Sequence, residues 1–230
     1  MKPTDFSTFL NQISSKPLYV LDSKIPIQDY IPLDLSNRNQ VLKNVDTSSS
    51  KEFEVFIFEY LKSNHAQVAF GGYNEARTIY QRSTHFNPRD ATPQRNIHLG
   101  MDLWLEANAP VFSPLDAVVH SFENNANYGD YGPTFILKHN VDGVVFYTLY
   151  GHLSLESLTV LKVGQHFKQG ERIAVLGDAS VNGDYPPHLH FQIIRNLQGF
   201  KGDYPGVCSK QDLAFYLSNC PDPNLLLKLA

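Results

Sequence analysis

Cysteine is scarce in this chain: Cys208 and Cys220 are the only two in 230 residues. So small a set excludes a disulfide scaffold, and neither thiol has a second one near enough for a zinc knuckle. Free thiols in a reducing compartment are therefore expected. Long apolar runs are missing too. No window approaches the ~18 uninterrupted apolar residues of a membrane-spanning helix, so no membrane partner is expected. Near the N-terminus Lys2 is the only basic residue before Lys16. Thr4, Asp5, Ser7, Thr8, Asn11 and Gln12 interrupt any signal-peptide core. A cytoplasmic protein is expected on that ground, or an exported one if a leader was removed. Basic charge is not in excess either. The formal net charge of -4 leaves no electrostatic footprint for nucleic acid.

What is present is ordinary in bulk and specific in pattern. A hydrophobic fraction of 42% and a charged fraction of 18% suit a globular protein, and 230 residues suffice for one large domain or a domain with an appendage. Residues 1–90 read as an N-terminal helical and loop extension that could cover a cleft. Phe6, Phe9 and Leu10 share one face of a short helix. Ser49 or Ser50 can cap a second helix over Lys51 to Asn64, whose apolar stripe is Phe53, Phe56, Ile57, Tyr60 and Leu61. Residues 91–200 read as an antiparallel β core, with short strands such as Ala117–Phe122, Thr134–His139 and Arg172–Leu176 between Gly, Pro, Asn and Asp turns. Residues 201–230 read as a loop and helix packing on that core. The helix is expected over Lys210 to Leu217, with Ser209 as its cap and Leu213, Tyr216 and Leu217 facing inward.

The chemistry concentrates in three places. Pro187-His188-Leu189-His190-Phe191-Gln192 runs into Ile193 and Ile194, an apolar β-favouring strand. Side chains alternate along a strand, so His188 and His190 point the same way. Two imidazoles on one face can both hold a metal, or one can hold it while the other moves a proton. Upstream stands His98-Leu99-Gly100-Met101-Asp102. Between them, His152 follows the apolar strand Val144–Leu149 in Tyr150-Gly151-His152-Leu153. The remaining histidines, His65, His85, His120, His139 and His166, read as surface residues. Trp104 reads as core. Tyr128, Tyr131 and Tyr185, in Gly/Asn/Asp-rich loops, read as lining a cleft.

The order H-x-x-x-D, then Y-G-H-L, then P-H-L-H-F resembles the lysostaphin/LytM-type zinc endopeptidases of peptidase family M23. The resemblance implies a mainly β (α+β) fold, an antiparallel lysostaphin/LytM-like catalytic domain of the duplicated-hybrid-motif type. It implies one Zn2+ per chain, held by His98, Asp102 and His190, with His152 and His188 as the catalytic histidines. The flanks Gly129–Pro133, Asn182–Pro187, Pro205–Cys208 and Cys220–Asn224 are similar to a subgroup joined to kinase-like and class III aminotransferase domains. A functional link to such proteins follows from that similarity. The subgroup carries a G-Y-x-E-x-R segment like Gly72–Arg77, which places Tyr73, Asn74, Glu75 and Arg77 at the rim of the cleft beside Tyr131 and Tyr185. Asn74 or Glu75 has the oxygen chemistry to fill the open metal position if this segment folds over the site.

A zinc site with three protein ligands keeps a position open for water. No H-E-x-x-H occurs, so histidine must do the work of the usual glutamate base. The substrate expected is a peptide or muropeptide: a peptidoglycan-type amide, or a small intracellular peptide-like one. Two other classes compete. A sugar-phosphotransferase carrier domain has a similar fold and uses two nearby histidines, but needs no complete zinc triad. A non-catalytic binding module usually lacks a ligand, and none is lacking here.

Overall fold

The computed structural model describes residues 3–83 and 93–229. His85, expected at the surface, lies outside the described residues, as does the boundary drawn at residue 90. The elements are, in order, α1 (Pro3–Ile13), β1 (Tyr30–Pro32), α2 (Ser50–Ser63), β2 (Val68–Gly71), β3 (Glu75–Ala76), β4 (Arg95–His98), β5 (Met101–Trp104), β6 (Pro110–Phe112), β7 (Ala117–Asn125), β8 (Gly132–Val141), β9 (Val144–Gly151), α3 (Leu155–Thr159), β10 (His166–Phe167), β11 (Arg172–Val175), β12 (His188–Ile194), β13 (Val207–Ser209), α4 (Leu213–Asn219) and α5 (Asn224–Leu227). The fold is mostly β, rich in antiparallel pairs, with few and short helices.

One eight-stranded sheet organises the molecule, in the order β1-β2-β5-β12-β9-β8-β7-β10. All its pairs are antiparallel except β1 with β2. The N-terminal residues are thus more than helix and loop, because β1 and β2 extend the sheet that carries the site. β12 lies between β5 and β9, and every one of its residues is buried. Its period-2 pattern divides the interior. Leu189, Phe191 and Ile193 enter the large core with Met101, Leu103, Phe135, Leu137 and Phe146. His188, His190 and Gln192 face the other side, where smaller clusters form around α2 and around Tyr204 and Cys208.

Capping and amphipathicity explain α2. The Ser49 hydroxyl accepts the Glu52 N–H, and Phe53, Ile57 and Leu61, four apart, are buried. Each such side chain contributes about 1.5–3 kcal/mol of burial. The C-terminal helix differs from expectation. It begins at Leu213, and Ser209 instead closes the preceding turn, its hydroxyl donating to Asp212 Oδ2 and accepting the Asp212 N–H. A serine in a loop caps whichever turn follows it, and here that turn does not propagate. Leu213, Tyr216 and Leu217 are half-buried.

His139 is not a surface residue. It lies two positions beyond Leu137 on the core face of β8, fully buried and stacked on Phe146 at 5.1 Å. Its Nδ1–H donates to the Asp116 carbonyl at 3.0 Å, and Nε2 pairs with the Thr148 hydroxyl at 2.7 Å. Burial pushes the imidazole down to about 4.

Candidate metal centre and active site

Strand register assembles the site. On β12, His190 pairs with Asp102 of β5 on one side and Gly151 of β9 on the other. His188 pairs with Trp104, and the two rings stack with centroids 5.8 Å apart. His98 ends β4, which belongs to the small sheet β13-β4-β3, and the turn through Leu99 and Gly100 returns the chain into β5. That turn runs tight beneath His190. A Cβ on Gly100 would sit 2.5 Å from His190 Cε1. His152 follows β9 directly with φ of 62°, a left-handed conformation uncommon outside glycine.

The atoms converge closely. His98 Nε2 lies 2.9 Å from His190 Nδ1 and 3.3 Å from Asp102 Oδ1, and His190 Nδ1 lies 3.2 Å from the same oxygen. Tetrahedral ligands held about 2.0–2.1 Å from zinc lie ~3.3 Å apart, so the spacing fits the ion. Among the described residues this trio is the one His/Cys/Asp/Glu cluster with such convergent ligand atoms.

The tautomers fit as well. His98 Nδ1–H donates to the Gly72 carbonyl at 3.0 Å. Gln192 donates its amide to Pro205 O and Cys220 Sγ, which leaves Oε1 to accept His190 Nε2–H at 2.9 Å. Both metal-facing nitrogens are therefore bare lone pairs in the neutral rings. Burial lowers His98 to about 4, so its ring stays neutral at ordinary pH. Two lone pairs at 2.9 Å beside a carboxylate repel one another unless a cation lies between them.

Asp102 is ionised. Burial opposes its charge, but the Arg77 guanidinium beside it holds it well below the usual carboxylate range. Arg77 Nη1 reaches Asp102 Oδ2 at 2.5 Å, Arg77 Nε reaches Glu75 Oε2 at 2.6 Å, and the guanidinium is buried. One oxygen of Asp102 is thereby occupied and the other is turned to the histidines.

His152 and His188 share a second arrangement. His152 Nδ1–H donates to Asn182 O at 2.8 Å, and His188 Nδ1–H to Pro186 O at 2.7 Å. Their rings stand 4.1 Å apart. Burial lowers both, His152 the further because His188 and His190 add repulsion. Each offers a free Nε2 lone pair.

A cavity of about 270 Å³ opens over these groups. Arg77, Tyr131 and Tyr185 line it, as do all five histidine and aspartate positions. Trp104 is buried yet also forms part of its wall. Tyr73, Asn74 and Glu75 do not line it. Tyr73 turns away to the Cys220 carbonyl, Asn74 is exposed, and Glu75 accepts from the Leu35 N–H and from Arg77. The segment does lie against the site, since β3 pairs with β4 at Glu75 and His98. Asn74 and Glu75 meet His98 through the backbone, and of the three side chains it is that of Arg77 that reaches a site residue, Asp102. Tyr128 is half exposed beneath Arg82. Sequence reasoning missed Gln192 and Tyr80. The first was legible as the next residue on the His190 face. The second, beside Arg77 and stacked on His98, had no local signal.

Comparison with known proteins bears on the same region. The family described as Peptidase family M23 matches residues 96–201, a stretch that includes His98, Asp102, His152, His188 and His190. An "Uncharacterized metalloprotease" of Haemophilus influenzae is 34% identical over 113 residues, covering 48% of this chain and 22% of the relative. The chain thus matches about a fifth of that relative's length. A zinc containing peptidase from Vibrio cholerae is 33% identical over 47% of this chain and 31% of its own, with a TM-score of 0.35. The catalytic domain of the antimicrobial peptidase lysostaphin from Staphylococcus simulans is 27% identical over 53% of this chain and 80% of its own, with a TM-score of 0.38.

Proposed function

Because residues 96–201 match the model of peptidase family M23, we propose that this chain is a zinc-dependent metallopeptidase that hydrolyses an amide bond in a peptide-like substrate. The observation that carries the proposal is the pairing of two bare imidazole nitrogens and one ionised carboxylate oxygen at 2.9–3.3 Å. His98 Nε2, His190 Nδ1 and Asp102 Oδ1 would hold one zinc. Zinc, when bound, supplies Lewis acidity toward water and the amide carbonyl.

The chain's own residues supply the rest. His152 and His188 present neutral Nε2 atoms, able to take a proton from attacking water and return it to the leaving nitrogen. The Asn182 and Pro186 carbonyls fix their tautomers, and Trp104 fixes the plane of His188. An imidazolium formed there would stabilise negative charge developing on the carbonyl oxygen. A phosphotransferase carrier is disfavoured, because a carrier histidine must meet a partner protein and all four site histidines are at most 5% exposed.

The flanks' similarity to a subgroup joined to kinase-like and aminotransferase domains supports a small amide beside a muropeptide, and a functional link to such proteins belongs to the proposal. A cytoplasmic location belongs to it too, supported by the two unbridged thiols. No helix among the described residues is long and apolar enough to cross a membrane. The test is zinc content by elemental analysis together with amine release from peptides and purified muropeptides. A chain that binds no zinc and releases no amine refutes the reading.

A further inference from the structure

We infer that the site takes a short amide, on the order of a di- or tripeptide presented end-on, and not a polymer laid across the sheet. The chemistry is that of the hydrolase reading, on which this substrate class rests. The size limit comes from the small volume of the cavity and from the hydrogen bonds that tie its walls together among the described residues.

One wall is the segment around α2 and Arg82. Arg82 donates to Ser48 O at 3.2 Å and to the carbonyls of Gly183 and Asp184, and its guanidinium lies 4.2 Å from the Tyr185 ring and 5.1 Å from that of Tyr128. Ser50 Oγ donates to Asp184 Oδ1 at 2.6 Å, and Ser83 Oγ to Tyr128 O at 2.7 Å. The N-terminal segment is thereby tied to both loops over the site, residues 126–131 and 178–187.

Those loops are tied to each other and onward. Gly129 N–H donates to Gly183 O at 3.0 Å, and Tyr185 Oη to Gly129 O at 2.8 Å. Tyr131 Oη donates to Tyr204 O at 3.2 Å, and Asn125 Nδ2 to Gly202 O at 3.0 Å, which joins the loops to the segment before β13. That segment returns through Leu99 N–H to Gly206 O and through β13-β4-β3 to the N-terminal wall. Among the described residues these contacts tie the segments lining the cavity into a hydrogen-bonded ring, which opposes a chain running out on both sides of its scissile bond.

The cavity volume of about 270 Å³ falls below the ~300–1,000 Å³ of pockets that bury drug-sized ligands. Leu35, Phe53, Ile79, Trp104 and Phe200 line much of it, so the group beside the amide is apolar or small. Hydrolysis within it breaks the C–N bond. Water's hydroxyl stays on the carbonyl carbon, its proton goes to the nitrogen, and both short products leave by the way the substrate came.

Trp104 is the chain's one tryptophan and lines this cavity, so its fluorescence reads occupancy directly. The zinc-loaded full chain is titrated with alanyl-alanine, glycyl-leucine and their tripeptides, and with a long peptide of the same sequence blocked at both ends, the signal being read at once on mixing. Amine release is followed in parallel, with purified wall sacculi as a polymer. Short peptides should change the fluorescence saturably. The long blocked peptide should bind at least about tenfold more weakly, and Arg82→Ala should recover most of that difference. If Arg82→Ala does not fold by circular dichroism, Ser50→Ala, which removes only the Asp184 contact, should recover part of it.

Equal binding of long and short peptides would overturn the inference, and so would short peptides that leave Trp104 unchanged at millimolar concentration. A folded Arg82→Ala chain that still excludes the long peptide would overturn the ring as the cause. Short peptides that bind without being cleaved would support the size limit and refute the hydrolase reading. Sacculi cleaved as fast as dipeptides would support the hydrolase and overturn the size limit.

Discussion

Replacing Arg77 by lysine keeps a positive charge beside Asp102 and removes the fork that aims the carboxylate. The guanidinium spans two acids at once, Nη1 to Asp102 at 2.5 Å and Nε to Glu75 at 2.6 Å. A single ammonium cannot reproduce both bonds in that geometry. In Arg77→Lys, Asp102 loses the partner that holds Oδ2 and leaves Oδ1 toward His98 and His190. Losing such a support costs about 10- to 100-fold in metal affinity, or ~1.4–2.7 kcal/mol. Arg77→Met asks a different question. It leaves Asp102 and Glu75 without their shared cation in a buried setting, which costs about 3–5 kcal/mol of stability. Zinc should restore part of that loss, since its charge replaces the guanidinium's next to Asp102. Chelator competition measures the affinity, and denaturant unfolding with and without zinc measures the stability. Zinc binding by Arg77→Lys within about twofold of the wild type would refute the view that Arg77 orients the ligand.

The other outcomes follow from the same geometry. His190→Ala and Asp102→Ala should each lose zinc by elemental analysis, whereas His152→Ala and His188→Ala should keep it and lose about 10²- to 10⁴-fold in amide hydrolysis; the reverse pattern would exchange their roles. Gly100→Ala should weaken zinc binding without replacing a ligand, because its Cβ would meet His190 Cε1 at 2.5 Å, and an unchanged affinity would show that the ring can yield. His139, lowered to about 4 by burial, is neutral in the fold, while the unfolded chain takes up its proton below 6.5. Its contribution to stability is therefore full above pH 6.5 and is lost as pH falls toward 4, about 3 kcal/mol in all. Unfolding of His139→Gln across that window should show a shallower pH slope than the wild type, and an equal slope would contradict the assignment.

The order of the motifs and their strand period were determined by the sequence alone. His188 and His190 share a face because β side chains alternate, and Leu189, Phe191 and Ile193 need the apolar side of the same strand. Ser49 and the Phe53–Ile57–Leu61 stripe specify α2 by local chemistry. Three things were left to the tertiary structure. Register across β5, β12 and β9 places Asp102, His190 and Gly151 in one row, and no local rule pairs strands nearly ninety residues apart. His139 looked like a surface residue because strand periodicity does not say which face another layer will cover, and α1 and Phe146 cover this one. Segment 72–77 was legible as belonging to the site, but not its working member. Asn74 and Glu75 had suitable oxygens, yet β3 pairing turns Arg77 to Asp102, because a buried carboxylate takes the nearest cation the backbone can deliver. The candidate ligands His98, Asp102 and His190 came from the resemblance to family M23, since spacing alone does not tell His190 from His188. Their supports, Gln192, Arg77 and Tyr80, came from packing, which a linear pattern does not record.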